Sequence, residues 1–307
     1  MRQATVQAAG LSEDRYRYLF FRNILQKMKN KILLLLALCP FFAAAQSGWT
    51  RAPKGLFIKI DGSFLDATTY YNPNGESVTT SAFRQSSINL YGEYGFRERL
   101  TFIVQAPLLR FNSFETTSTV AGIGDLRLEA KYRLSGNTFP VSVSVAPEIP
   151  TGRANAYATN KQFPEDRINL PTGDGEFNVW TTLAASHSFG KCYASAFTAY
   201  NFRTKYEGKK FRNLYQFGAE LGFNPWKPLW LNAKLRAQFS NGDSRHPELG
   251  FVRGDATTYT LLSAEAFYRI GSHWGVAATY LDGGDWIAPF QNIYIAPYFS
   301  VGVVYER

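Results

Sequence analysis

The chain has 307 residues, 45% hydrophobic and 16% aromatic, with two cysteines and a formal charge of +9. It carries no dense Lys/Arg run with interleaved aromatics of the kind that tracks phosphates, so nucleic acid is not the expected partner. Part of the positive balance also belongs to the first 45 residues: without them 26 basic residues face 22 acidic ones, a formal charge of +4.

The first element is "MKNKILLLLALCPFFAAAQ", where Lys29 and Lys31 precede an apolar run from Ile32 to Ala45. The run contains Pro40, is too short and too broken to span a bilayer, and closes on Ala43, Ala44 and Ala45, small residues that suit cleavage before Gln46. It reads as a cleaved secretory signal peptide. A basic n-region normally opens a protein, so translation is expected to start at Met28, with residues 1–27 an upstream extension. Cys39 follows the bulky Leu38, unlike a lipoprotein acylation site, and leaves with the signal. Cys192 is then the remaining cysteine. Residues 46–307, expected to form one domain, are held by core, sheet or membrane and not by an internal disulfide.

From there the sequence alternates. In "GLFIKIDGSF" Lys59, Asp61 and Ser63 oppose Ile58 and Ile60. In "GIGDLRLEAKYRLSG" Asp125, Arg127, Glu129, Lys131 and Arg133 alternate with Leu126, Leu128, Ala130, Tyr132 and Leu134. "LWLNAKLRAQFS" sets Asn232, Lys234, Arg236 and Gln238 against aliphatics, and "LLSAEAFYRI" does the same with Ser263, Glu265 and Arg269. A helix, at about 3.6 residues per turn, would scatter the polar set around its circumference, whereas a strand puts it on one face. Twelve such segments are expected, near 55–64, 82–94, 99–111, 123–134, 139–149, 176–189, 191–202, 211–223, 229–240, 256–270, 274–281 and 291–305, with ends good to ~2–4 residues.

The connections alternate too. Tight ones, "GFRER", "SGNT", "GK", "NPWKP" and "GSH", follow even-numbered strands, and longer ones follow odd-numbered strands, the longest over about 150–175. A soluble sandwich has an apolar core and a polar exterior over strands of about five or six residues. Here charges sit at mid-strand opposite the aliphatics, over longer segments. No apolar run is long enough for a transmembrane helix, so the expected fold is all-β: a transmembrane antiparallel up-and-down β-barrel of about 12 strands, polar inside and apolar towards lipid. Trp226, Trp230, Trp274, Tyr294, Tyr298 and Tyr305 suit an aromatic girdle at the membrane surfaces. An even strand number returns both termini to the periplasm with the short turns.

Catalysis finds little support. His187 stands between Ser186 and Ser188, but neighbours on a strand point to opposite faces and cannot share a nucleophile–base hydrogen bond. His246 and His273 fall in a loop and a turn, with no zinc-like spacing nearby. "TGDGE" and "SNGDS" lack the ligand spacing of a calcium loop and read as turns. The candidate functional residues are therefore the charges of the polar face: Lys59, Asp61, Glu93, Asp125, Arg127, Glu129, Lys131, Arg133, Glu148, Glu220, Lys234, Arg236, Glu265 and Arg269. Glu93 and Glu148, on flanking strands, are possible partners of the charges on 123–134, although register cannot be read from sequence. Two readings stay open, a salt-bridge network that fills a narrow barrel and a polar constriction along a permeation path.

"GIGDLRLEAKYRL" followed by "FPVSVSVAPEIPTG" resembles the outer-membrane proteins of the phenol-degradation meta-pathway family, through Gly122, Gly124, Asp125, Lys131, Tyr132, Arg133, Pro150, Thr151 and Gly152. The resemblance covers about 30 residues as a motif. It implies an outer-membrane barrel that passes hydrophobic or aromatic small molecules in a Gram-negative bacterium. No N-terminal hatch like that of the fatty-acid transporters is expected, since about nine residues separate the cleavage site from the first strand. The expected function is a small-molecule channel, without cofactor or metal, whose partners are outer-membrane lipids and a solute. The alternatives are a non-conducting structural barrel and, behind it, a lipid-modifying barrel enzyme.

Overall fold

The computed structural model describes residues 46–307; the expected signal segment and upstream extension lie outside the described residues. Twelve long strands dominate: β1 (Leu56–Tyr71), β2 (Ser77–Arg97), β3 (Leu100–Phe114), β4 (Leu126–Arg133), β5 (Val141–Ile149), β6 (Asn178–Phe189), β7 (Cys192–Arg203), β8 (Leu214–Trp226), β9 (Leu229–Ser240), β10 (Tyr259–Ile270), β11 (Trp274–Gly283) and β12 (Tyr298–Glu306). Each pairs antiparallel with the next, and β12 returns to β1 from Phe57↔Glu306 to Leu65↔Tyr298. The sheet is therefore closed and has no free edge to satisfy, which is the condition a spanning sheet must meet in lipid.

The alternation becomes two faces. Val301, Ile60 and Leu128 lie outside at 66, 48 and 40% exposure, whereas Lys131, Glu220 and Glu129 lie inside at 3, 4 and 5%. This is inverted relative to a water-soluble sheet and suits lipid outside. Trp226 and Trp274 stand exposed at the short-turn end, with Trp274 packed edge-on against Tyr305 at 5.0 Å. Three of the expected girdle residues do not belong to it: Trp230 and Tyr298 line the interior, and Tyr294 packs inside the opposite mouth. Ring chemistry suits either place; the strand register decides.

Tight turns join β2–β3, β6–β7, β8–β9 and β10–β11. At β6–β7 the first turn residue, Gly190, has φ +66°, a conformation that β-carbons disfavour and that matches the strand twist of a two-residue hairpin. The long-loop end differs from expectation in two ways. β1 and β2 run on as a paired ribbon to a five-residue link, 72–76, because "ATTYYNPNGESVTTS" has loop-like composition but extended pairing, Tyr71↔Ser77. The expected last strand, 291–305, is split: Ile293–Ile295 pairs with the top of β1, the chain leaves the sheet at Ala296–Pro297, and β12 starts at Tyr298. Pro297 has no N–H for the ladder.

The loops of this end fold over the mouth. A hairpin, Tyr157–Thr159 with Arg167–Asn169, and a 3-10 segment, Pro247–Arg253, bring Ala156, Ala158, Leu170 and Phe251 onto Phe83, Phe114 and Val120. Phe83, Phe114, Phe251 and Tyr294 form a ring cluster with centroids 5.0–6.1 Å apart. This apolar core lies within the barrel mouth and holds the loops there.

Candidate functional site

Two cavities occupy the interior. The larger, about 690 Å³, lies towards the short-turn end among Phe57, Trp230, Lys234, Phe267, Arg269 and Glu306. The second, about 500 Å³, lies under the long loops among Arg110, Asp125, Arg127, Glu148, Asp174 and Tyr298. They share Lys59, Asp61, Tyr91, Gln105, Glu265 and Thr279 as a common waist.

The waist is crossed by Lys59 Nζ, which donates to Glu265 Oε2 at 2.8 Å from three strands away. Thr279 Oγ1 donates to the same oxygen at 3.1 Å, and Asp61 accepts from Asn89 at 2.9 Å. Lys234 pairs with Glu220 at 2.7 Å, directly opposite it on the neighbouring strand. Arg269 reaches Glu306 at 2.5 Å. Glu129 and Lys131 are buried on β4, and Arg133, below them, donates to Asn137 in the turn. Arg127 stacks over the Trp180 ring at 5.0 Å and stands opposite Glu148 in the ladder. Of the two possible partners for the charges of β4, Glu93 takes Arg51, and Glu148 accepts from Asn178 at 3.0 Å. A lumen side chain can reach along or across the barrel as well as to the neighbouring strand.

Arg51 belongs to the short segment between the expected cleavage site and β1. Residues 46–55 do not trail away from the barrel but enter it. Gln46, Ser47 and Gly48 are buried; the Gly48 N–H donates to Ser186 Oγ at 2.8 Å, and Ser142 Oγ donates to the Ser47 carbonyl at 3.0 Å. Trp49 packs edge-on against Tyr193 at 5.3 Å. Arg51 Nε and Nη1 donate to Glu93 and Glu306, each at 2.7 Å. The fit leaves no room: a β-carbon on Gly48 would lie 1.9 Å from the Pro140 carbonyl oxygen. The segment is far shorter than a hatch like that of the fatty-acid transporters, yet it takes up space inside the barrel, and its length alone does not say where it goes.

The motif residues also have a defined task. Asp125, just ahead of β4, accepts the Gly152 N–H at 2.9 Å on one oxygen and the Asp174 N–H at 2.7 Å on the other. Thr151 Oγ1 donates to the Gly124 carbonyl at 2.7 Å. The loop between β5 and β6 opens on Pro150-Thr151-Gly152 and closes on Pro171-Thr172-Gly173, and both copies sit on 121–125 and its neighbour Arg110. Gly173 must be glycine, since a β-carbon would fall 2.2 Å from Asp125 Oδ1. Asp125 is therefore a clasp that turns the longest loop into the mouth.

A second clasp joins that loop to the one between β9 and β10. Arg203, at the top of β7, donates to Glu176, to the Gly254 carbonyl at 2.8 Å and to the Arg253 carbonyl at 2.7 Å; Arg253 in turn donates to Asn155 Oδ1 at 2.7 Å and to the Ala154 carbonyl. Burial pushes the Glu176 carboxyl up to about 8, against the pull of the Arg203 guanidinium. Its value when folded lies above its unfolded one, so its contribution to loop closure is complete below the ordinary carboxylate range and is lost as pH rises through about 8. Proteolytic nicking of this loop in the detergent-solubilised protein is expected to increase across that window, and Glu176→Gln to flatten the dependence. An unchanged pH profile in the variant would remove Glu176 as its cause.

The histidines stay apart from such chemistry. His187 Nδ1 meets the Thr138 carbonyl and His273 Nδ1 the Glu306 carbonyl, both at 2.9 Å, and among the described residues no group of three or more His, Cys, Asp or Glu side chains is placed to hold a metal.

No protein family and no curated protein matches the chain in sequence. Among solved structures it is similar to an outer-membrane channel from Pseudomonas putida F1, with 15% identity and a TM-score of 0.59 over 87% of this chain and 100% of that one. It is also similar to the NanC porin, with 8% identity and a TM-score of 0.51 over 81% of this chain and 98% of that one. The shared feature is the fold, a closed antiparallel barrel of the outer-membrane type.

Proposed function

We propose that the chain is an outer-membrane channel for small molecules in a Gram-negative bacterium, exported by a cleaved signal peptide. The observation that supports it is the lumen: charged and aromatic side chains line two cavities that meet at a common waist, inside a barrel whose outer face is apolar. Of the fourteen charges read from the sequence, Lys59, Asp61, Glu93, Asp125, Arg127, Glu148, Lys234, Glu265 and Arg269 line these cavities, which supports a polar path through the barrel. The resemblance to the phenol-degradation meta-pathway proteins narrows the solute to hydrophobic or aromatic compounds. The larger cavity agrees in part, since Phe57, Trp230 and Phe267 lie beside Lys59 and Lys234; a solute with a ring and a polar edge fits better than a purely apolar one.

The fill at both ends favours one further reading, a non-conducting structural barrel. Planar-bilayer recording separates the two. The full mature protein is expected to give discrete conductance steps, and a folded, inserted protein that passes no current would establish the structural barrel. On whole cells, single cysteines at Asn72, Asn160, Lys209, Asn241 or Gly284 in a Cys192→Ser background are expected to react with an impermeant reagent, and those at Gly136, Gly190 or Trp226 to stay silent. The reverse pattern would invert the orientation.

A further inference from the structure

We propose that the mature chain begins with a pyroglutamyl residue formed from Gln46. The proposal rests on the reading of the apolar run before it as a cleaved signal, which leaves a new α-amine on Gln46. The structure places that residue within the lumen: Gln46 and Ser47 are 8 and 5% exposed, and the segment is fixed there by Ser142, Ser186 and Arg51. The charged group that reaches Gln46 is Arg236, whose Nη2 donates to Gln46 Oε1 at 3.5 Å and whose buried Nε has no partner. An ammonium formed here would put a second positive charge beside a guanidinium, away from bulk water, where ionised groups lose hydration and like charges repel.

Glutamine in first position can remove that charge. Its α-amine nitrogen attacks the side-chain Cδ, the new N–Cδ bond closes a five-membered lactam, the Cδ–Nε2 bond breaks, and Nε2 leaves as ammonia with the proton shed by the amine. Cδ stays at the acyl oxidation level, so no oxidant, reductant or cofactor is needed. The product is neutral and keeps the former Oε1 as a carbonyl acceptor, so it offers Arg236 a hydrogen-bond partner in place of a like charge. Asparagine, one methylene shorter, would have to close a four-membered ring and stays open.

The test uses the full chain, expressed with its own leader and recovered from outer membranes. Tandem mass spectrometry of the Gln46–Arg51 peptide is expected to show a species lighter by one ammonia than the encoded sequence, and Gln46→Asn to give its encoded mass. Isotope-labelled Gln-Ser-Gly-Trp-Thr-Arg, added before digestion, reports cyclisation during handling. An N-terminal Gln46 cyclised no further than that standard would overturn the modification and leave the cleavage site intact. A chain starting elsewhere would overturn the cleavage and the modification together. Conductance is read separately, so neither failure counts against the channel.

Discussion

Deleting Ser47–Ala52, with Gln46 kept to preserve the cleavage junction, is expected to raise the single-channel conductance severalfold. These residues pass between Glu93 and Glu306 on one side and Ser142, Ser186 and Tyr193 on the other, and so take up cross-section that the polar wall would otherwise give to water. Conductance follows the narrowest section of a path, so removing the obstruction matters only if it is that section. A deletion also leaves Glu93, 6% exposed, without the Arg51 cation and with the Tyr91 hydroxyl alone, and a buried charge without a counter-ion is costly. A gentler variant therefore belongs beside it. Gly48→Val deletes no ion-pairing residue but drives a side chain into the Pro140 carbonyl oxygen, so it displaces the start of the segment from the wall. Both variants should shift conductance in the same direction, while Arg51→Lys, which keeps the charge, should shift it less. If neither variant changes the current while the barrel stays folded and heat-resistant on gels, the bottleneck lies under the Asp125 clasp at the other mouth.

The barrel was legible in the sequence because its signal is periodic and repeated. Five charges at every second position from Asp125 to Arg133 can face one way only on a strand, and twelve such segments with alternating link lengths leave few other closures. Legibility failed where geometry depends on contacts across the lumen. Arg51 and Glu306 lie 255 residues apart, and no local pattern relates them. The Asp125 clasp was half visible. The repeated Pro-Thr-Gly triplets are plain in the sequence, but that Gly152 of the first and Asp174 just after the second meet on one carboxylate follows from a loop folding inward, and composition does not show direction. Trp230 and Tyr298 were placed on the lipid side by residue type, although their register puts them inside.

The difference between the two faces gives the last expected result. Val301→Arg should impair insertion strongly, whereas replacing Arg127, Lys131, Lys234 and Arg236 with Gln should leave the barrel inserted and change what it passes. Val301 is 66% exposed on the outer face and stands opposite Gly62, six positions above Leu56 at the short-turn end. With a rise of about 3.3 Å per residue and a strand tilt of about 40°, that is about 15 Å along the barrel axis, close to the middle of an apolar layer about 30 Å thick. Arginine there costs ~2–4 kcal/mol, enough to lower the folding equilibrium constant by about one and a half to three orders of magnitude in a reversible urea titration with lipid vesicles. The four lumen substitutions remove no apolar surface from lipid, and at Glu220 the Lys234→Gln change keeps a donor beside the Tyr193 hydroxyl that already binds this carboxylate. Their effect is on sign: with four cations gone, the acidic members of the wall, Asp61, Glu129, Glu148, Glu220 and Glu265, dominate the path, and the reversal potential under a salt gradient should move towards cations. A protein that tolerates Val301→Arg but loses insertion with the four Gln substitutions would show that the faces are assigned the wrong way round. Unchanged selectivity in an inserted, conducting variant would instead place the ions' route away from β4 and β9.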